Sequence, residues 1–552
     1  MRDPMRGIGV GTGSAAGPVA RMAPPPPLPA PRAVGDPAAE AAAIRAALGA
    51  VVTDLGERAA RAGGPGSEVL TAQALMAADP VLADRAAALA EQGTDGPHAL
   101  AAAFDGFRAE LVAAGGYFAE RAADLDDLRD RAVAQLLGLP VPGLPDPGHP
   151  YVLVADDLAP ADTALLDPQR VLALVTVRGG PTSHTAILAK ALGVPAVVGC
   201  ADAADLADGR RVLVHGTDGM IELDPAPEAV ERAADRERRR RERLTGYQGP
   251  GRTADGHPVA LLVNLGAPHE LAGAAAADAE GVGLFRTEFL FLDRAEAPSL
   301  AEQATAYRQV FAAFAGRRVI VRTLDAGADK PLPFATSADE ENPALGIRGL
   351  RTAARDPQLL ETQLAAIAEA ARDSTAQVWV MAPMVSIPRE AAEFAARVRA
   401  HGLPLAGAMI EVPAAALRAD RLAEVCDFFS VGTNDLAQYT FAADRTLGSL
   451  AQLLDPWQPA LLTLVATAAG SAAEHGRPIG VCGEAAADPA LALVLVGLGV
   501  TSLSAAPASL PEVRAALATH TLAECRELAA LALLADDATT ARSRVRSSMT
   551  AP

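Results

Sequence analysis

Cysteine, lysine and long apolar runs are all scarce in this chain of 552 residues, and each scarcity excludes something. The four cysteines, Cys200, Cys426, Cys482 and Cys525, lack the short repeated spacing of a metal site. They read as free thiols of a reducing compartment, so a cytoplasmic protein is expected. Half of the residues are hydrophobic. Yet no run of about 18 apolar residues is free of breakers, which excludes membrane insertion through a helix. Met1-Arg2-Asp3-Pro4 leads into Gly- and Pro-rich sequence with no apolar leader, and no secretory signal is expected. Lysine occurs only as Lys190 and Lys330. The formal net charge of −19 argues against a general nucleic-acid binder.

What is present divides the chain, whose length suits about three or four domains. Gly7 to Val10 and Val19 to Met22 read as short strands, followed by Pro24-Pro25-Pro26-Pro27 and a semi-rigid Pro/Ala connector to Pro37. Ala-rich amphipathic stretches then follow one another at 37–62, 67–77, 80–92, 97–113 and 116–137, the pattern of a helical bundle. Residues 36–138 hold 16 Asp/Glu against 8 Arg. Such a surface is usually just solvated, but it would also speed encounter with a basic partner. Past the Pro/Gly linker 140–150 comes a small β/α unit. It has strands at Tyr151–Ala155 and Leu172–Thr176 with a helix Ala159–Leu166 between them, then strands at 196–198, 211–214 and 219–223. Residues 7–22 can complete its sheet, which makes the helices an insertion. Residues 225–245 read as an exposed, charged connector helix. From 257 short apolar strands alternate with longer helical stretches. The eight candidates are 258–264, 281–285, 318–323, 378–382, 407–411, 427–431, 478–482 and 500–504. Eight strands with helices between them predict a (β/α)8 barrel.

Two features carry chemistry. In 179–190, Gly-Gly-Pro-Thr-Ser-His-Thr-Ala-Ile-Leu-Ala-Lys, Gly179 and Gly180 allow a tight turn and Thr182 or Ser183 can cap the helix that follows. A histidine at a helix N-terminus keeps a free nitrogen lone pair, and the same helix end suits a phosphoryl group. His184 is therefore a candidate nucleophile, although a His in an ordinary capped turn is equally compatible with the local sequence. In the barrel, polar residues fall where strands end: Arg286, Arg322, Glu411, Asn434, Asp435 and Cys482. Arg286, Arg322 and Arg445 can clamp phosphate, and Asn434 can donate to it. Glu411 and Asp435 offer hard oxygens for Mg²⁺. Cys482 is a weak acid able to exchange a proton, though most buried cysteines are inert. The set suits a small phosphorylated carboxylate such as an enol phosphate.

The sequence resembles enzyme I of the bacterial sugar phosphotransferase system, the phosphoenolpyruvate–protein phosphotransferases among the PEP-utilising enzymes. The matching stretches are GGPTSHTAILAK (179–190), GVGLFRTEFLFLDR (281–294), VIVRTLDAGADK (319–330), ENPALGIRGLR (341–351), GAMIEVPAA (407–415), FFSVGTNDLAQYTFAADR (428–445) and GVCGEAAAD (480–488). The resemblance implies a multidomain α/β protein. A swivelling phosphohistidine β/α domain (1–35 and 139–224) would carry an inserted helical subdomain (36–138) that binds HPr, a small phosphocarrier. A linker helix and hinge (225–256), a PEP-binding (β/α)8 barrel (257–520) and a C-terminal helix with a disordered tail (521–552) would follow. It implies that His184 is phosphorylated, and that Arg286, Arg322, Asn434, Asp435 and Arg445 bind phosphoenolpyruvate. Glu411 and Asp435 would hold Mg²⁺, Cys482 would protonate the pyruvate enolate, and the barrel would mediate a homodimer.

Departures stand beside these matches. The best-known members have Arg where this chain has Pro181, and residues 1–35 and the tail match weakly. Two other functions stay open: a non-catalytic regulator that binds a phosphocarrier, and an ATP-linked dikinase or phosphoenolpyruvate synthase. The latter needs a large nucleotide-binding module ahead of His184, and no glycine-rich nucleotide loop occurs among the residues that precede it.

Overall fold

The computed structural model describes residues 4–549 apart from positions 12, 62–64, 115–121, 157, 159–165, 168, 181–184, 187–188, 190–191, 293, 295, 327–331, 333, 336–339, 341, 446, 448–449 and 451. Two compact units divide the chain, Met1–Glu237 and Arg238–Pro552. The division falls inside the charged helix Pro227–Thr245.

The first unit is built on an eight-stranded mixed sheet. Its strands are β1 (Met5–Arg6), β2 (Ile8–Val10), β3 (Ser14–Arg21), β4 (Tyr151–Ala155), β5 (Val171–Thr176), β6 (Ala196–Val198), β7 (Arg211–His215) and β8 (Met220–Leu223), in the order β1-β8-β7-β3-β4-β5-β6-β2. β3 pairs in parallel with β4 although over a hundred residues separate them. The separation is filled by helices Pro37–Arg61, Pro65–Ala77, Pro80–Glu91, Gly96–Ala114 and Ala122–Leu137. They are therefore an insertion between adjacent strands, as the residue pattern predicts. They bury their own core, with Ile44, Leu55, Leu82, Leu100, Phe104 and Leu128 at its centre. All five residues of β4 are buried: Tyr151, Leu153 and Ala155 enter one core and Val152 and Val154 another, so both faces of this central strand are covered. The expected helix Ala159–Leu166 lies outside the described residues but for its last position.

The second unit holds a closed barrel of parallel strands: β9 (Ala260–Leu265), β10 (Gly281–Arg286), β11 (Arg318–Arg322), β12 (Gln377–Ala382), β13 (Ala406–Ile410), β14 (Phe428–Gly432), β15 (Ile479–Cys482) and β16 (Ser502–Ala505). β16 pairs with β9 to close it. All eight expected strands are present, with bounds shifted by a residue or two. Outward side chains such as Val282, Phe285, Val319 and Ile410 form one large core with the surrounding helices. Inward ones, Leu284, Ile320, Met381, Met409, Phe428 and Cys482, fill the barrel. Size matching is tight: a Cβ on Gly407 would lie 2.5 Å from the Phe428 ring, so the large side chain of β14 needs a bare backbone on β13.

One expectation is corrected here. The polar tail beginning at Asp536 reads as disordered, yet Ala538–Met549 is a helix with Ala541 and Val545 buried in the barrel core. Its Arg542 pairs with Asp455 at 2.7 Å. Three apolar residues at helical spacing suffice when a preformed surface receives them. Among the described residues no helix is long and apolar enough to cross a membrane.

Candidate active site

The carboxyl ends of the barrel strands converge on a cavity of about 240 Å³. Parallel strands deliver this because every strand ends on the same face, so the residue after each last apolar position points into one space. Arg286 closes β10, Arg322 closes β11 and Cys482 closes β15. Glu411 follows β13. Asn434 and Asp435 stand in the first turn of helix Thr433–Phe441, directly after β14. That helix directs its N-terminus at the cavity, an arrangement favourable to anions. It ends at Ala442 in the left-handed conformation (φ 50°), and the turn brings Arg445 back to the rim. Every barrel residue singled out in the sequence lines this one cavity.

Three charged lining residues escaped the sequence reading: Glu288, Asp325 and Arg348. They organise the cations. Arg322 Nη2 donates to Glu288 Oε1 at 2.7 Å, and its Nη1 lies 3.2 Å from Asp325 Oδ2. Arg348 donates to both oxygens of Asp325, Nη2 to Oδ2 at 2.8 Å and Nε to Oδ1 at 3.3 Å. Its Nη1 also donates to Asp435 Oδ1 at 3.1 Å and to the Tyr439 hydroxyl at 3.2 Å. Arg445 Nη1 lies 3.6 Å from Asp435 Oδ2. Burial alone would lower the proton affinity of Arg322 and Arg348, but the surrounding carboxylates outweigh it and hold both well above the ordinary range. Each missed residue lies inside a motif already singled out, RTEFLF, VRTLD or GIRG. An acid two residues after Arg286 and another three after Arg322 were the available signals.

Glu411 is 1 % exposed. Its Oε1 accepts from the Met384 backbone N–H at 2.6 Å, while Oε2 is buried without a hydrogen-bond partner. Burial, then Asp325 and Asp435, push its carboxyl up to about 8, against the pull of Arg322. An unpartnered buried carboxylate oxygen near a second carboxylate is a poor arrangement unless a cation joins it. No group of three or more His, Cys, Asp or Glu that could hold a metal occurs among the described residues. Two carboxylates plus substrate oxygens is the donor set Mg²⁺ accepts, so Glu411 and Asp435 fit that ion.

Cys482 is buried among the inward apolar side chains. Ser430 Oγ donates to its Sγ at 3.3 Å, and Sγ donates to the Val431 carbonyl at 3.5 Å. Burial raises the thiol, against smaller lowering effects from Ser430, Arg286 and Arg322. It is thus a protonated thiol at neutral pH, the form a proton donor needs.

His184 and its neighbours Pro181, Thr182 and Ser183 lie outside the described residues. The approach to them is described. β5 ends at Thr176, and Gly179 turns the chain with φ 98°. A Cβ on Gly199 would meet the Gly179 carbonyl at 2.9 Å. Thr185 and Ala186, just past the histidine, are buried.

Family comparisons agree with this geometry. Models described as "PEP-utilising enzyme, N-terminal", "mobile domain" and "PEP-binding domain" match residues 6–121, 147–219 and 242–522. All three describe one class, the PEP-utilising enzymes, and the PEP-binding one spans all eight barrel strands. A phosphoenolpyruvate-protein phosphotransferase of Streptomyces coelicolor is 53% identical over 98% of this chain and 98% of its own. Another from Haloferax volcanii is 41% identical over 87% and 86%, and one from Geobacillus stearothermophilus is 39% identical over 73% and 72%. The chain belongs to the family of phosphoenolpyruvate-protein phosphotransferases, enzyme I of the phosphotransferase system.

Proposed function

We propose that the chain moves the phosphoryl group of phosphoenolpyruvate onto His184 and then onto a histidine of HPr, releasing pyruvate as the first step of sugar uptake. The observation that carries this is the single cavity in which Arg286, Arg322, Arg445, Glu411, Asp435 and Cys482 meet. Arg286, Arg322 and Arg445 clamp the phosphoryl oxygens and Asn434 donates to them. Glu411 and Asp435 would hold Mg²⁺, which would supply Lewis-acid polarisation of the substrate. An imidazole nitrogen of His184 attacks phosphorus in line, and the bond from phosphorus to the enol oxygen breaks. Cys482 then gives its proton to the methylene carbon, which completes pyruvate.

His184 lies on a β/α domain formed by 1–35 and 139–224, and 257–520 is the substrate domain. Segments near 140–150 and 225–256 act as hinges between two phosphoryl stations. The acidic helical segment 36–138 receives HPr, the barrel mediates a homodimer, and the protein works in the cytoplasm.

The test is incubation of the purified chain with Mg²⁺ and either labelled phosphoenolpyruvate or γ-labelled ATP. Acid-labile label from phosphoenolpyruvate alone, lost in His184→Ala, is expected. Label that persists in His184→Ala, or label from ATP, would overturn the reading.

A further inference from the structure

A second cavity, of about 590 Å³, lies at the amino end of the barrel, where β12 and β13 begin. The active-site cavity lies at the carboxyl ends of the strands, so a strand's length separates the two. Small side chains make the space: Ala368 and Ala371, one turn apart at the end of helix Pro357–Ala371, and Ala376 just before β12. Leu403 and Leu405, ahead of β13, extend the apolar wall. Trp379 of β12 also lines it and is only half-buried. Its indole is held by the Phe428 ring, 4.8 Å away between centroids, and by the Arg318 guanidinium, 4.2 Å from the ring centroid. The Trp379 N–H meets no acceptor among the described residues, whereas the other tryptophan, Trp457, donates to Asp488 at 3.1 Å.

One cation at the rim is left for a ligand. His401 Nε2 pairs with Glu361 at 2.7 Å, and Arg397 meets the same carboxylate at 3.2 Å. Arg372, exposed at the end of helix Pro357–Ala371, meets no carboxylate among the described residues. A cation suits a helix C-terminus on its own account, but that does not explain the open apolar volume and the bare indole beside it. A cavity of this size, apolar with a few polar groups, is the usual form of a small-molecule site. An aromatic ring gains by displacing water from such walls, and a guanidinium pairs bidentately with a carboxylate. A sugar phosphate or a nucleotide would leave most of its polar groups facing alanine and leucine. We propose that this cavity binds a small aromatic monocarboxylate, its ring against Trp379 and its carboxylate on Arg372, at a site separate from that of phosphoryl transfer.

The full chain labelled with ¹⁵N-tryptophan carries two indole N–H groups to follow by NMR, and Trp379→Phe assigns their signals. Titration with 2-naphthylacetate is expected to shift the Trp379 signal and to leave that of the fully buried Trp457 in place. The uncharged 2-naphthylacetamide has the same ring and is expected to bind roughly tenfold more weakly, the worth of one hydrogen bond to a charged group. Arg372→Ala should weaken the acid by the same factor, bringing it level with the amide. It should leave the affinity for the amide and the urea midpoint of the chain unchanged, because Arg372 is exposed. An unmoved Trp379 signal, equal affinity for acid and amide, or an Arg372→Ala chain that binds the acid as wild type does would overturn the inference. So would adenosine monophosphate binding at Trp379 more tightly than the acid.

Discussion

Arg348 joins two largely buried carboxylates, Asp325 and Asp435, that would otherwise repel each other. It is 3 % exposed, and the two acids, 9 % and 7 % exposed, meet solvent only through the cavity they line. Removing one partner from a buried ion network costs about 3–5 kcal/mol. Arg348→Met is therefore expected to lower the stability of the barrel by that order in urea denaturation, and to slow phosphoenolpyruvate turnover through a misplaced Asp435. Glu411 makes a pH-dependent contribution of definite sign. Its carboxyl is held up at about 8 in the folded protein, against 4.5 for an ordinary glutamate, so the protonated form is the one that folding favours. The contribution is complete below about pH 4.5 and is lost as pH rises through about 8. In chelator, stability should fall across that window. Glu411→Gln, which cannot ionise, should flatten the fall when denaturation is repeated at each pH.

At the scale of elements, the short helices behind the strand ends are fixed by caps as much as by packing. Asp488 caps helix Pro489–Gly497: its Oδ1 accepts from Ala490 N at 2.9 Å and Leu491 N at 3.3 Å. Its Oδ2 accepts from the Trp457 indole at 3.1 Å. The helix is buried nearly all round, so an apolar face cannot set its register and the cap does. Asp488→Ala is expected to cost about 2 kcal/mol, the upper end for a lost cap, read from urea denaturation. The barrel strands were legible because central parallel strands are continuous apolar runs bounded by a polar residue. The five residues Ser14–Pro18 that β3 gains at its start, and the pairing of β1 with β8, were not. Ser14 to Pro18 carry little β-branched character, and β7 pulls them into the sheet by pairing with them.

The whole molecule shows where local sequence stops being informative. Helix Ala538–Met549 is polar on average, and only the receiving surface of the barrel makes it a helix. Truncation after residue 535 removes buried Ala541 and Val545 and the Arg542–Asp455 pair at 2.7 Å. It is expected to destabilise the second unit by roughly 2–3 kcal/mol, visible as a lower urea midpoint than that of the full chain. Strand count, the inserted helices and the polar residues at the barrel strand ends were readable from sequence, because apolar period, strand-end polarity and motif spacing are local properties; Glu288, Asp325 and Arg348 were not. What only the tertiary structure decided is how the charges divide. Arg322 and Arg348 are tied to Glu288 and Asp325, Arg445 stays at the rim, Glu411 keeps one bare oxygen, and Cys482 has a hydroxyl at its sulfur. Those partnerships join residues from 23 to 52 positions apart through the barrel fold. Burial then gives each its energy, and neither closure nor burial can be read along the chain.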